Sequence, residues 1–227
     1  MVDVVTHDRS AFLRSALAAI AGVVVGVAPP GSGGWWSGAT AAAAARATQT
    51  TSRRRVLLAY FSRAGENYYY GGRRDLKVGN TEVVARMISK LIRCDVHRIR
   101  AVDPYPYDYE ATVARNVREQ QADARPRIAN PLASIKRYDV VLLASPIWNV
   151  RAPMIMSTFA ERYDFTGKTI FPVTTHAMSG LGTTPDDYAA SCPRATIGRG
   201  LAVQGEKART ADPAVEAWLR RVRLLPS

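Results

Sequence analysis

The chain has 227 residues, enough for one domain of ordinary size plus an appendage. Its apolar and charged fractions, 47% and 22%, are ordinary for a globular protein, so a core can form without disulfides, and Cys94 and Cys192 match no metal-ligand spacing. The net charge of +12 lies wholly beyond residue 41, where it comes without aromatic-basic interleaving, zinc spacing or a recognition-helix pattern; this argues against nucleic acid and leaves acidic partners or anionic substrates.

Residues 1–52 form an extension unlike the rest. Arg9 and Arg14 precede an apolar run, Ser15–Ala28, that is too short to span a bilayer comfortably. A Pro/Gly/Ser stretch and the alanines Ala41–Ala45 follow. A basic start, an apolar middle and small residues afterwards have the shape of an export signal. The segment Arg9-Ser-Ala-Phe-Leu-Arg14 resembles a twin-arginine signal with serine in place of its second arginine. The other reading is an Ala-rich cytoplasmic extension; export is preferred. Residues 29–52 read as a linker. Both cysteines read as plain thiols, with a bridge between them left open in an exported protein.

The domain, residues 53–227, opens with a short continuous apolar run, Val56–Phe61, typical of a strand buried on both faces. From Glu82 to Ile92 the residues Val83, Val84, Met87, Ile88 and Leu91 share one helical face. Asp95–Arg100 alternates as a strand, and Tyr109–Ala122 is a polar helix with Asp108 and Glu110 at its start. Tyr138–Ser145 predicts a central strand, Pro153–Tyr163 a helix, Lys168–Thr174 a strand, and Pro185–Ala190 a short helix. Ala195–Val203 is a weaker fifth strand interrupted by Gly198 and Gly200. Asp212 is expected to cap a last helix that starts with Pro213 and buries Trp218, Leu219 and Val222. Alternating strands and helices predict an α/β sandwich of three layers, a five-stranded parallel sheet covered on both faces. Ligands in such sheets bind beyond the carboxyl ends of the strands, where the strand order reverses. The loops after the first, third and fourth strands are therefore the ones to inspect.

The first of these runs from Ser62-Arg-Ala-Gly-Glu-Asn67 through the tyrosines Tyr68, Tyr69 and Tyr70 to Val78-Gly-Asn-Thr81 at a helix start. Free N–H groups there attract an anion, Gly79 allows close approach, and Ser62, Asn80 and Thr81 add polar groups. The plain alternative is a helix capped by Asn80 or Thr81. The missing Walker lysine argues against a nucleoside triphosphate. The second loop, Ser145-Pro-Ile-Trp-Asn-Val-Arg-Ala-Pro-Met154, places an indole at a strand end, a platform for a flat aromatic ligand. The third, Thr175-His-Ala-Met-Ser-Gly-Leu-Gly182, carries glycines and short polar groups suited to close backbone contact.

Together Tyr60-Phe-Ser-Arg-Ala-Gly-Glu-Asn67, Val78-Gly-Asn-Thr-Glu82, Pro104-Tyr-Pro106, Pro146-Ile-Trp148, Tyr163-Asp-Phe-Thr-Gly-Lys168, Thr175-His176 and Ser179-Gly-Leu-Gly182 resemble the longer-looped bacterial flavodoxin-like proteins. The likeness runs from Val56 to about Gly205. It implies a flavodoxin-like sheet of strand order 2-1-3-4-5 and a flavin mononucleotide (FMN) cofactor. Ser62, Arg63, Asn80 and Thr81 would meet its phosphate. Pro146, Ile147, Trp148, Asn149, Thr175, His176, Ser179 and Gly180 would flank its ring. Two departures stand out: Asn149 and Val150 where the family commonly has tryptophan and glycine, and Ala177 and Met178 where it has paired glycines. They would weaken FMN binding, alter its redox behaviour or reshape the pocket.

On this reading FMN supplies the chemistry. His176 is the candidate proton donor or base. Arg151, if it points inward, would stabilise an anionic reduced flavin or an acidic substrate. Each has a plain alternative, a structural histidine and a solvated arginine. His97 reads as structural, and Tyr68, Tyr69 and Tyr70 as a packed hairpin rather than a flap over the flavin. The preferred function is an FMN-dependent oxidoreductase on a small organic molecule, a quinone among the choices, with NAD(P)H or a redox partner visiting transiently because no second dinucleotide fingerprint is present. The alternatives are a one-electron carrier, an enzyme of non-redox chemistry with FMN structural or absent, and a noncatalytic binding module. Related flavin reductases are commonly dimers, so a homodimer is consistent with the resemblance.

Overall fold

A computed structural model of the protein describes residues 54–226. The export-like segment and linker, residues 1–52, lie outside the described residues. Continuous apolar runs become the inner strands. β1 (Val56–Tyr60) pairs in parallel with β4 (Asp95–Arg98) on one side and β5 (Val140–Pro146) on the other. β5 continues to β6 (Thr169–His176), which carries β7 (Thr196–Ile197) and β8 (Leu201–Gln204) along its far edge. The order β4-β1-β5-β6 and then β7 with β8 is the predicted 2-1-3-4-5, its fifth strand divided in two. The division falls at Gly198–Gly200 for a steric reason. A Cβ on Gly198 would lie 2.2 Å from the Phe171 ring, and one on Gly200 2.8 Å from the Pro172 carbonyl.

Successive strand residues point to opposite faces, so each inner strand feeds two cores. On one face Leu58, Leu142 and Val173 pack against α1 (Asn80–Leu91) and α5 (Asp212–Arg221) through Val84, Ile88, Trp218 and Leu219. On the other, Leu57, Leu143 and Ile170 meet α3 (Met154–Arg162) and α4 (Thr184–Ser191) through Ile155, Phe159 and Tyr188. Trp218 donates its indole N–H to the Arg199 carbonyl at 2.8 Å, which holds α5 to the divided edge. Cys94 packs with the first core and Cys192 with the second, so the sheet separates them and both are free thiols. Burial pushes each up to about 11, leaving both protonated and unreactive at neutral pH.

Two expected caps are corrected. Asp212 is the first residue of α5 rather than its cap: a 3-10 turn, Gly205–Thr210, runs into the helix and leaves Ala211 at the cap position. Neither Asn80 nor Thr81 caps α1; Gly79 holds that position, and the side chain that caps arrives from the preceding loop. The Ser62 hydroxyl accepts the Glu82 N–H at 3.1 Å. Asp108 does cap α2 (Tyr109–Gln121), accepting the Ala111 N–H at 2.7 Å. Among the described residues no helix is long and apolar enough to cross a membrane.

The long first loop folds into an antiparallel hairpin, β2 (Gly65–Tyr69) and β3 (Gly72–Leu76), in which Tyr68 lines the cavity described below and Tyr70 is exposed, so the hairpin reading and the flap reading each hold in part. It is docked on the start of α2. Glu66 accepts the Tyr109 N–H at 3.1 Å, Arg73 pairs with Glu110 at 2.7 Å, and the Arg73 guanidinium covers the Tyr109 ring at 3.6 Å.

Candidate functional site

The carboxyl ends of β1, β5 and β6 open on one cavity of about 480 Å³. Its polar end is the start of α1. The N–H groups of Asn80 and Thr81 lie ahead of the first intrahelical bond, Val83 N–H to Gly79 carbonyl, and so remain available to an anion. Gly79 packs so tightly on the preceding loop that a Cβ there would sit 2.4 Å from both the Arg63 carbonyl and the Ser62 hydroxyl. The Thr81 and Thr175 hydroxyls share a buried hydrogen bond of 2.7 Å, which fixes the end of β6 to the start of α1. Asn80 lies against Gly205, whose Cβ would meet its amide nitrogen at 2.7 Å.

The other end is made by the loops after β5 and β6. Trp148 stands edge-on to Phe61 at 5.6 Å and to Tyr105 at 4.9 Å, its indole held by an aromatic cluster. A tight turn follows, closed by the Trp148 N–H to the Arg151 carbonyl at 2.9 Å. Asn149 carries the left-handed φ of +65° that this turn needs, and asparagine tolerates it better than most residues. The first departure from the family pattern is thus accommodated locally. The second is too, because φ is positive at neither Ala177 nor Met178. The two loops are stitched together. Ser179 donates to the Asn149 carbonyl at 3.3 Å and the Thr183 N–H to the Val150 carbonyl at 2.9 Å. Gly182 passes so close to Val150 that a Cβ would fall 2.0 Å from its carbonyl oxygen.

Most of the residues singled out in the sequence line this cavity: Ser62, Arg63, Asn80, Thr81, Pro146, Ile147, Trp148, Asn149, Thr175, His176 and Ser179. Two do not. Gly180 sits in the turn with φ +60°, its carbonyl accepting the Thr174 hydroxyl at 2.8 Å. Arg151 is the larger correction. Its guanidinium pairs with Asp187 of α4 at 3.3 Å and is absent from the lining, so the inward-pointing arginine of the sequence reading is not found. Arg63 lines the cavity but is already engaged. It donates to the carbonyls of Pro106 at 3.0 Å, Tyr107 at 2.8 Å and Glu66, tying the first loop to the α2 approach.

His176 and Glu206 face the same space. Nδ1 of His176 and Oε2 of Glu206 are both buried without a partner among the described residues, while Oε1 of Glu206 accepts the Tyr70 N–H at 3.0 Å from the hairpin tip. Burial pulls His176 below its ordinary value, and the Glu206 carboxylate opposes that shift. His97 lies away from the cavity, buried and stacked on Phe159 at 6.0 Å; burial and then Arg100 also pull it down. Both imidazoles therefore take up protons more readily in the unfolded chain. Stability should be full above the ordinary histidine value of 6.5 and fall as the pH drops below it toward the lowered folded values. Thermal melting followed from pH 8 to 5 checks this. His97→Gln should flatten the decline, and an unchanged slope in that variant contradicts the assignment.

Sequence reasoning missed two walls. Tyr109, Thr112, Val113, Asn116 and Val117 present one stripe of α2 to the cavity. The signal was present as valines spaced four apart in an otherwise polar helix. Gly205 and Glu206 are brought in by β8 pairing with β6, where His176 meets Gln204; no local pattern marks them.

A three-layer α/β sandwich with its cavity at the switch point of strand order is the flavodoxin architecture. The flavodoxin family profile matches residues 75–222, and the chain belongs to that family. A candidate flavoprotein of Bacteroides eggerthii is 27% identical with TM-score 0.61, covering 75% of this chain and 98% of that one. A candidate flavoprotein of Bacteroides uniformis, 24% identical with TM-score 0.58, covers 74% and 98%. A flavoprotein of Lactobacillus acidophilus, solved in complex with FMN, shares the fold at 15% identity and TM-score 0.51, covering 69% and 97%. The chain matches no curated protein sequence.

Proposed function

We propose that the protein is an FMN-dependent oxidoreductase acting on a small organic molecule. The observation that carries this reading is that a helix start with free N–H groups and a held indole face one cavity. That pairing suits a ligand with an anion at one end and a flat aromatic ring at the other. The FMN bound by the Lactobacillus relative has that chemistry. Ser62, Asn80 and Thr81 would hold the phosphate, and Gly79 keeps the loop close enough for them to do so. Pro146, Ile147 and Trp148 would flank the ring. The unpartnered Glu206 Oε2 suits a hydroxyl donor. When bound, FMN supplies the electron and hydride chemistry.

The chain's own part is to position and to manage protons. His176 presents an unpartnered Nδ1 and would carry a proton to or from the reacting molecule, with Glu206 opposing the loss of its charge. Trp148, the hairpin and the stripe of α2 exclude water from the ring's surroundings. The net charge of +12 disfavours a carrier that docks on basic partners.

The test is steady-state oxidation of NAD(P)H by the FMN-loaded full chain with a quinone as acceptor. His176→Ala should lower turnover by about 10²-fold or more while FMN is retained. Reversible photoreduction without turnover on any acceptor would replace this reading with that of an electron carrier.

A further inference from the structure

The cavity is electrically lopsided. Among the described residues two charged side chains line it, Arg63 and Glu206, and both belong to its α1 end. Arg63 follows Ser62 and gives its two terminal nitrogens to three carbonyls, with Nε left unpartnered among the described residues; Glu206 follows Gly205, which abuts Asn80. Arg151, which would have charged the other end, is turned to Asp187. Among the described residues the far end therefore offers a ligand no carboxylate, lysine or arginine.

It offers apolar surface instead. Single exposed apolar side chains are ordinary on a protein, but a cluster around a concavity is not. Met178 is 84% exposed, Val113 38% and Val117 39%, and all three line the cavity; Val150, 51% exposed, stands in the adjoining turn. Two hydrogen bonds bring them together. Gln120, one turn beyond Val117, donates to the Trp148 carbonyl at 3.2 Å, and Ser179, next to Met178, donates to the Asn149 carbonyl.

We propose that Val113, Val117, Trp148 and Met178 form the substrate wall, and that the substrate is an uncharged, largely apolar aromatic ring such as a quinone without carboxylate, sulfonate or phosphate. This rests on the oxidoreductase reading and narrows it: the anionic substrates that the net charge suggests have no partner at this wall. Valines on α2 and a flexible methionine on the opposite loop fit rings of differing outline.

The experiment is calorimetric titration of the full chain, loaded with oxidised FMN, with menadione and with a naphthoquinone sulfonate. FMN affinity is measured first, by quenching of flavin fluorescence. The sulfonate should bind at least about 10-fold more weakly than menadione, since it gains no ion pair and loses hydration. Met178→Asp should weaken menadione by about 10-fold, the size expected for losing one apolar contact and adding a charge. Val117→Ser should do so by about 3-fold, and Met178→Leu should bind like the parent. The melting temperature should stay at the parental value in Met178→Asp, because that side chain is 84% exposed and no core contact is lost, and menadione binding is compared at flavin concentrations that saturate each variant. Equal or tighter binding of the sulfonate, or a Met178→Asp variant that binds menadione unchanged, overturns the proposal. A parental chain that holds no FMN overturns the oxidoreductase reading as well, and is seen before any quinone is added.

Discussion

Gly79→Ala is expected to abolish retention of FMN and to destabilise the domain by about 2–4 kcal/mol, the sum of overpacking and a lost helix cap. The added carbon would meet the Arg63 carbonyl and the Ser62 hydroxyl, both at 2.4 Å, and the Arg63 carbonyl carbon at 2.8 Å. Two of these are backbone atoms of a loop anchored by the Arg63 guanidinium on Pro106 and Tyr107, so the loop cannot yield without cost. If it moves, Ser62 leaves the Glu82 N–H and the start of α1 loses both its cap and its closeness to the loop. Strain arises here from close approach, since the Gly79 φ of −66° suits any residue. Urea unfolding and flavin titration check the two halves of this prediction. A variant with parental stability and FMN affinity contradicts the packing described for the anion end.

Trp148→Ala carries the second large effect. The indole makes two edge-on aromatic contacts, with Phe61 and Tyr105, each worth about 0.5–1.5 kcal/mol beyond the area it buries. It is partly rather than fully buried, so truncation should cost about 2 kcal/mol of stability, less than for a core aromatic. Loss of stacking should weaken FMN by a further 1–3 kcal/mol, roughly 5- to 150-fold. Trp148→Phe keeps a ring in the cluster and should recover most of the stability but only part of the FMN affinity. An alanine variant that loses stability and keeps parental FMN affinity would show that the indole supports the loop without touching the ligand.

Much of this arrangement was legible in the sequence. Val56–Phe61 and Tyr138–Ser145 read as strands because burial on both faces removes alternation and leaves continuous apolar runs. The glycines at 198 and 200 marked the break in the last strand, although the crowding by Phe171 and Pro172 that demands them is visible only in three dimensions. The loops after the first, third and fourth predicted strands did converge, because strand order fixes which carboxyl ends meet.

What was not legible depended on long-range pairing. Glu206 reaches the site only because β8 returns beside β6. Arg151 stood in the right loop, yet a turn closed on the Trp148 N–H sends its side chain to Asp187, a partner 36 positions further along the chain. Tyr109–Gln121 looked like a solvated helix since it buries little beyond Thr112, Asn116 and Glu119. Its valines made sense once the space they face was known to be a cavity. Ser62 capping α1 from the preceding loop was hidden in the same way, as the nearer Asn80 and Thr81 satisfy the local rule for caps.

Whether this cavity holds FMN is read from the visible absorption spectrum of the purified chain, with and without added FMN. Bound flavin should give resolved absorption bands and quenched fluorescence, with one FMN taken up per chain and uptake lost in Gly79→Ala. A colourless chain that leaves micromolar FMN fully fluorescent would contradict the assignment, and the cavity would then belong to chemistry that needs no flavin.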